Sequence, residues 1–241
     1  MVHPAGVVTS SLSAAGWRPL RSTIAQVLAI PDYSAGDYLV LATQRGLVKK
    51  TRLSEYDSNR QGGIIAINLA DDDELISARL VSETDDLLLF SRKGMSARFT
   101  ADDETLRPMG RATSGVIGMR FRGDDALLAM DVVRPETFVV TVTDGGYAKR
   151  TPVVDWATKG RGILGVRAMK LVEERGSLVG AMVCDAEDQL FAIASNGIVI
   201  RTRVVEIRPS GRDTMGVTLM NLDEGDTIVA VARGEESDDE I

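Results

Sequence analysis

The stretch Phe138-Val139-Val140-Thr141-Val142-Thr143-Asp144-Gly145-Gly146-Tyr147-Ala148-Lys149-Arg150-Thr151 reads as two short β-strands joined by a tight turn. β-branched and aromatic residues fill its arms, and Asp-Gly-Gly supplies positive φ at little cost between them. The plan recurs along the chain. Apolar runs precede Gly46 (Tyr38 to Thr43), Gly94 (Leu87 to Ser91), Gly146 (Phe138 to Thr143) and Gly197 (Leu190 to Ala194), at spacings of 48, 52 and 51 residues. A second glycine set, Gly63, Gly115, Gly165 and Gly216, is spaced by 52, 50 and 51 residues and opens further apolar segments at 64–69, 116–121, 166–171 and 217–222. Acidic or glycine turns come next, such as Asp71-Asp72-Asp73 and Asp223-Glu224-Gly225-Asp226, and then a last strand, as in Leu75 to Ala78.

Each unit therefore reads strand, glycine turn, strand, loop, strand, turn, strand. Four short strands per roughly 50 residues is the signature of a propeller-type blade. Helical periodicity is absent from these segments, so the expected class is all-β. The expected organisation is one domain over 1–233, with repeats at about 24–75, 76–127, 128–178 and 179–233 and an acidic tail at 234–241. Residues 1–23 form a partial repeat, because Gly6 to Leu12 has the same glycine-to-leucine span as Gly63 to Leu69. A chain that starts inside a repeat is expected of a fragment of a longer protein or of a truncated paralogue.

Composition narrows the function. At 44% hydrophobic residues, the chain can bury a sizeable core. No apolar run reaches the 18 or so residues of a membrane span, and no secretory signal opens the chain. One cysteine, Cys184, permits no internal disulfide and fits a reducing cytoplasm. His3 is the only histidine, which argues against a histidine-based triad or metal site. There is no phosphate-loop motif, no cofactor is expected, and the Asp clusters at 71–73 and 124–125 read as turn carboxylates. Trp156 reads as a packing plug.

The net charge of −7 argues against nucleic acid when taken alone. Five of the 35 acids lie in the run Glu235, Glu236, Asp238, Asp239 and Glu240, leaving 28 bases against 30 acids elsewhere. A nearly neutral body leaves room for a basic stripe. Four residues after each first-set glycine stands a base: Lys50, Arg98, Arg150 and Arg201. Lys49, Arg52, Lys149 and Arg203 lie beside them. Four residues before the later second-set glycines stand Arg111, Arg161 and Arg212, with Arg60 one residue out of phase and Lys159 nearby. Equivalent positions in radial repeats share a face, so these residues are expected to build a belt along a phosphate backbone. The competing reading is a set of solvated bases guarding strand edges.

The run Leu39 to Lys50, the segment Asp57-Ser58-Asn59-Arg60-Gln61-Gly62-Gly63-Ile64, the segment Leu106 to Val116 and Gly145-Gly146-Tyr147-Ala148-Lys149-Arg150-Thr151 carry a resemblance. Over about residues 24 to 233 the chain resembles the C-terminal domain family of gyrase A, the DNA-cleaving component of a type IIA topoisomerase. The resemblance implies a β-pinwheel whose neighbouring blades exchange strands and whose basic rim bends duplex DNA. It implies no catalytic residue in this chain and a nucleoid-associated cytoplasmic setting. Its implied partners are double-stranded DNA and, in the parent enzyme, the N-terminal cleavage domain and gyrase B, with no membrane or small-molecule substrate. The family's box, Gln-Arg-Arg-Gly-Gly-Lys-Gly, does not occur. Its nearest counterpart is Lys159-Gly160-Arg161-Gly162-Ile163-Leu164-Gly165, in which Ile163 and Leu164 replace Gly-Lys. That departure bears on strong wrapping more than on binding. The rival expectation is a degenerate paralogue that acts as a protein-interaction propeller.

Overall fold

The computed structural model describes residues 7–9, 24–28, 30, 32, 33, 36–58, 60 and 63–234. In chain order the strands are β1 (Val7–Thr9), β2 (Ile24–Val27), β3 (Tyr38–Thr43), β4 (Leu47–Arg52), β5 (Leu75–Val81), β6 (Asp86–Ser91), β7 (Met95–Thr100), β8 (Val116–Ile117), β9 (Leu127–Val132), β10 (Phe138–Thr143), β11 (Tyr147–Pro152), β12 (Val166–Arg167), β13 (Leu178–Cys184), β14 (Gln189–Ala194), β15 (Val199–Arg203), β16 (Val217–Thr218) and β17 (Ile228–Gly234). Among the described residues, helical structure is confined to short 3-10 turns. The class is all-β, as the glycine periodicity predicts.

Four blades form a propeller-like arrangement. Their strand orders are β5-β3-β4-β8, β12-β7-β6-β9, β13-β10-β11-β16 and β15-β14-β17. Each of the first three completes itself with a two-residue strand from the following repeat: Val116 pairs with Val48, Val166 with Ser96 and Val217 with Ala148. The last strands of consecutive repeats lie side by side. Arg79 Nε donates to Asp131 Oδ1 (2.9 Å), the Val183 amide donates to Asp131 Oδ2 (2.9 Å), and Arg233 Nη1 donates to the Val183 carbonyl (2.8 Å).

The apolar runs lack polar alternation because blades cover both faces of the central strands. In β3, Tyr38, Val40 and Ala42 pack with Leu87, Leu89 and Phe99 of the second blade, while Leu39 and Leu41 pack with Leu53, Ile67 and Ala78. Trp156 is buried between the second and third blades, where its indole donates to Ser96 Oγ at 2.8 Å, in keeping with the packing role read from sequence. Cys184 lies in the core between the third and fourth, where burial pushes its thiol up to about 12.

Two details differ from the sequence reading. The exchanged strands are two residues long, where segments such as 116–121 predict six. After Ile117 the chain leaves the ladder to cross the preceding hairpin turn, and the amides of Gly118 and Met119 both donate to the Gly46 carbonyl. The same crossing follows at Ala168 and Met169 over Gly94, and at Leu219 and Met220 over Gly146. Second, Val7–Thr9, read as part of a partial repeat, pairs antiparallel with Ile24–Val27 in a separate two-stranded sheet. Residues 10–12, His3, Trp17 and the acidic tail from Glu235 onward lie outside the described residues.

Candidate nucleic-acid interface

The outer rim is built from the loops between each hairpin and its exchanged strand, residues 101–115, 153–165 and 204–216. Each loop is stitched to the repeat before it. The Met109, Lys159 and Ser210 amides donate to the Lys50, Arg98 and Arg150 carbonyls (2.8–2.9 Å). Positive-φ glycines let the chain approach closely. At Gly115 and Gly216 the carbonyls of Val48 and Ala148 occupy the space a Cβ would need.

In the first three repeats the base four residues after the first-set glycine does not form the solvent-facing belt expected from its phase, whereas Arg201 in the fourth is exposed. Lys50 is fully enclosed; its ammonium donates to the Ala101 carbonyl (2.6 Å) and Asp103 (2.7 Å) and lies 4.4 Å from the Tyr38 ring centroid. Arg98 is half-buried and bonds Asp86 (2.7 Å) and the Trp156 carbonyl (2.9 Å). Arg150 is half-buried, donates to the Ile207 carbonyl (2.6 Å) and stacks 4.6 Å over Phe138. Each thus clasps the rim turn of the next repeat. Lys49 and Lys149 are also fully enclosed. Enclosed ammonium groups cannot meet a phosphate, so Lys49, Lys50 and Lys149 are interior residues and not the surface contacts expected of them, while half-buried Arg98 and Arg150 reach into the following repeat. Burial draws the ammonium groups of Lys49 and Lys149 down to about 8.

The other predicted bases reach the surface in varying degree. Arg52 is exposed, with its guanidinium 5.3 Å from the Tyr38 ring. Arg60 and Lys159 are exposed and form no ion pair among the described residues. Arg161 is exposed, yet it donates to the Thr105 (2.6 Å) and Ile117 (3.1 Å) carbonyls of the preceding repeat. Arg212 is half-buried, donates to the Arg167 carbonyl (3.2 Å) and lies 5.9 Å from the Trp156 ring. Arg111 is half-buried. Arg201 and Arg203 are exposed on β15, which has no fourth strand among the described residues; Arg203 lies 3.8 Å from Glu187 and from Glu206.

The structure adds bases that the sequence reading passed over. Arg107 and Arg208 stand on the rim loops, eight residues before Gly115 and Gly216. Arg120 and Lys170 stand just past the exchanged strands, five residues after Gly115 and Gly165. All four are exposed and in no ion pair among the described residues. Their in-phase spacing was the available signal. By contrast, Arg45 and Lys93, beside the hairpin glycines, are neutralised by Asp72 and Asp124 of the inner turns. Asp73 and Asp125 accept the Arg45 and Lys93 amides (2.9 Å each), as turn carboxylates do.

The sequence matches the family described as DNA gyrase C-terminal domain, beta-propeller, over residues 37–82, 85–134, 137–185 and 188–234. It is 61% identical to the gyrase A protein of Streptomyces coelicolor over 220 residues, covering 89% of this chain and 26% of that protein. It is 56% identical to the gyrase A protein of Mycolicibacterium smegmatis over 216 residues, covering 90% of this chain and 26% of that one. The chain thus spans about a quarter of the length of these relatives. Among solved structures, a DNA gyrase A C-terminal domain superposes with a TM-score of 0.78 at 25% identity, covering 88% of this chain and 71% of that one. The C-terminal domain of a DNA topoisomerase IV superposes with a TM-score of 0.82 at 22% identity, covering 90% and 68%, a likeness of fold.

Proposed function

The chain belongs to the DNA gyrase A C-terminal domain family, and from that premise we propose that it is a non-catalytic module that binds duplex DNA along its rim and bends it. One observation supports the reading most. Exposed bases without carboxylate partners among the described residues recur on successive rim loops (Arg107, Lys159 and Arg208) and just past the exchanged strands (Arg120 and Lys170). Point charges repeated around a curved edge suit a phosphate backbone that follows the edge. Among the described residues the rim presents loops and strand ends and no groove-reading helix, so binding tolerates sequence and is graded by how readily the duplex bends. Within a longer gyrase A protein, wrapping would present a second duplex segment to the cleavage domain and gyrase B, where the chemistry resides.

A second reading has one observation behind it. Blade four leaves Ile198, Val199 and Val205 exposed beside β15, a surface suited to strand pairing with a protein.

Duplex binding as a function of salt tests the first reading. Each neutralised phosphate contributes about −0.9 to the slope of log K against log salt. Replacing Arg107, Lys159 and Arg208 together by glutamate is expected to flatten that slope by about 2 to 3 units. An unchanged slope would remove the rim loops from the interface, and no binding at low salt would favour the protein-interaction reading.

A further inference from the structure

Lys49 and Lys149 are buried cations with no carboxylate partner among the described residues. Their ammonium groups are held by oxygens of the rim. Lys49 Nζ donates to the carbonyls of Ala66 and Arg111. Lys149 Nζ donates to the carbonyls of Gly211 (2.8 Å) and Arg212 and lies 3.5 Å from Thr214 Oγ1. Enclosing an ammonium without a counter-charge carries a desolvation cost of several kcal/mol, and well-packed apolar side chains often serve stability as well or better. The molecule carries its own comparison. At the same strand position the second blade has Ala97, and there the following rim loop is held otherwise, by Arg161 on the Thr105 and Ile117 carbonyls. Closing a blade therefore does not require the lysine. What the two lysines share is a grip on the peptide of a rim arginine.

We propose that Lys49 and Lys149 are positioning residues of the DNA interface, fixing the loops that carry Arg111 and, in the fourth repeat, Arg208 and Arg212. The inference rests on the DNA-binding reading and deepens it. The lysines touch no phosphate; they remove the freedom of the loop backbone, so that each arginine meets the duplex without a further ordering cost.

The charges facing these ammonium groups are Glu55 and Arg111 around Lys49, and Asp213, Arg212 and Asp155 around Lys149.

The test is the double variant Lys49→Met, Lys149→Met in the full chain, read by thermal unfolding and by duplex binding across salt. A purely structural lysine predicts altered unfolding with DNA binding intact. The positioning role predicts an unfolding temperature equal to or above the wild type, with a salt slope smaller by about 2 units and affinity at 0.1 M salt lower by on the order of 60-fold, one phosphate contact being worth about eightfold there. Wild-type slope and affinity in the folded variant overturn the inference and leave the DNA reading standing. If the wild-type chain itself fails to bind duplex at low salt, both fall. Should the double variant not fold, the single variant Lys149→Ala, which copies Ala97 of the second blade, decides: a salt slope shallower by about 1 unit is expected, and the wild-type slope overturns the proposal.

Discussion

Gly216→Ala is expected to destabilise the chain by about 3–4 kcal/mol, and Gly63→Ala by only about 1 kcal/mol. Both glycines hold φ at +77°, so the backbone penalty for an L side chain is the same in each. Their surroundings differ. A Cβ on Gly216 would sit 2.6 Å from the Ala148 carbonyl oxygen and 2.9 Å from its carbon, whereas a Cβ on Gly63 meets nothing within 4 Å among the described residues. Gly216 opens the exchanged strand β16, which pairs Val217 with Ala148, so the clash is backbone against backbone and neither side can yield cheaply. Chemical denaturation of the two variants separates the cost of conformation from the cost of strand exchange. Equal effects would mean that the close approach between blades contributes nothing.

Asp86→Asn is expected to cost about 3 kcal/mol at pH 7, which is roughly 6–12 °C in unfolding temperature for a chain of this size. Asp86 accepts from Arg98 (2.7 Å), Thr100 (2.7 Å) and Thr158 (2.7 Å) and thereby joins two strands of the second blade to the loop that bears Lys159. Burial pushes its carboxyl up, but the bonds from Thr100, Thr158 and Arg98 outweigh that and hold it below the usual carboxylate range. A carboxylate whose folded-state value is depressed stabilises the fold above its unfolded value of about 3.9. That contribution is lost as pH falls through the unfolded value toward the folded one. The gap between wild type and variant should therefore be full at pH 7 and shrink below about pH 4. Thermal scans from pH 3 to 7 check this, and a gap that does not change with pH would mean that the carboxylate charge is not what the three donors hold.

The blade plan was legible because it rests on local necessities. Gly46, Gly94, Gly146 and Gly197 all adopt positive φ, between +79° and +86°, and each closes a hairpin where the apolar runs place it. Unbroken runs such as Leu87-Leu88-Leu89-Phe90 were also informative, since only a strand covered on both faces tolerates them. That same covering hid the roles of the bases. On a strand with one wet face, alternation tells which side chain meets solvent. Here Lys49, Lys50 and Lys149 are enclosed, and most of their partners are carbonyls, up to 63 residues away, that carry no sequence signature. The phase of the bases was real, but it marked contacts between repeats. Arg107, Arg120, Lys170 and Arg208 are likewise in phase, though their exposure depends on loops whose course follows from where the exchanged strand leaves the ladder.

Wrapping is measured most directly by the linking number. The chain is bound to relaxed closed plasmid, the complex is treated with topoisomerase I, and the protein is removed before a gel. A rim that bends duplex DNA into a chiral path predicts a linking-number shift that grows with the amount of chain bound. Saturating binding with no shift would contradict wrapping and reduce the rim to a surface that grips DNA without curving it.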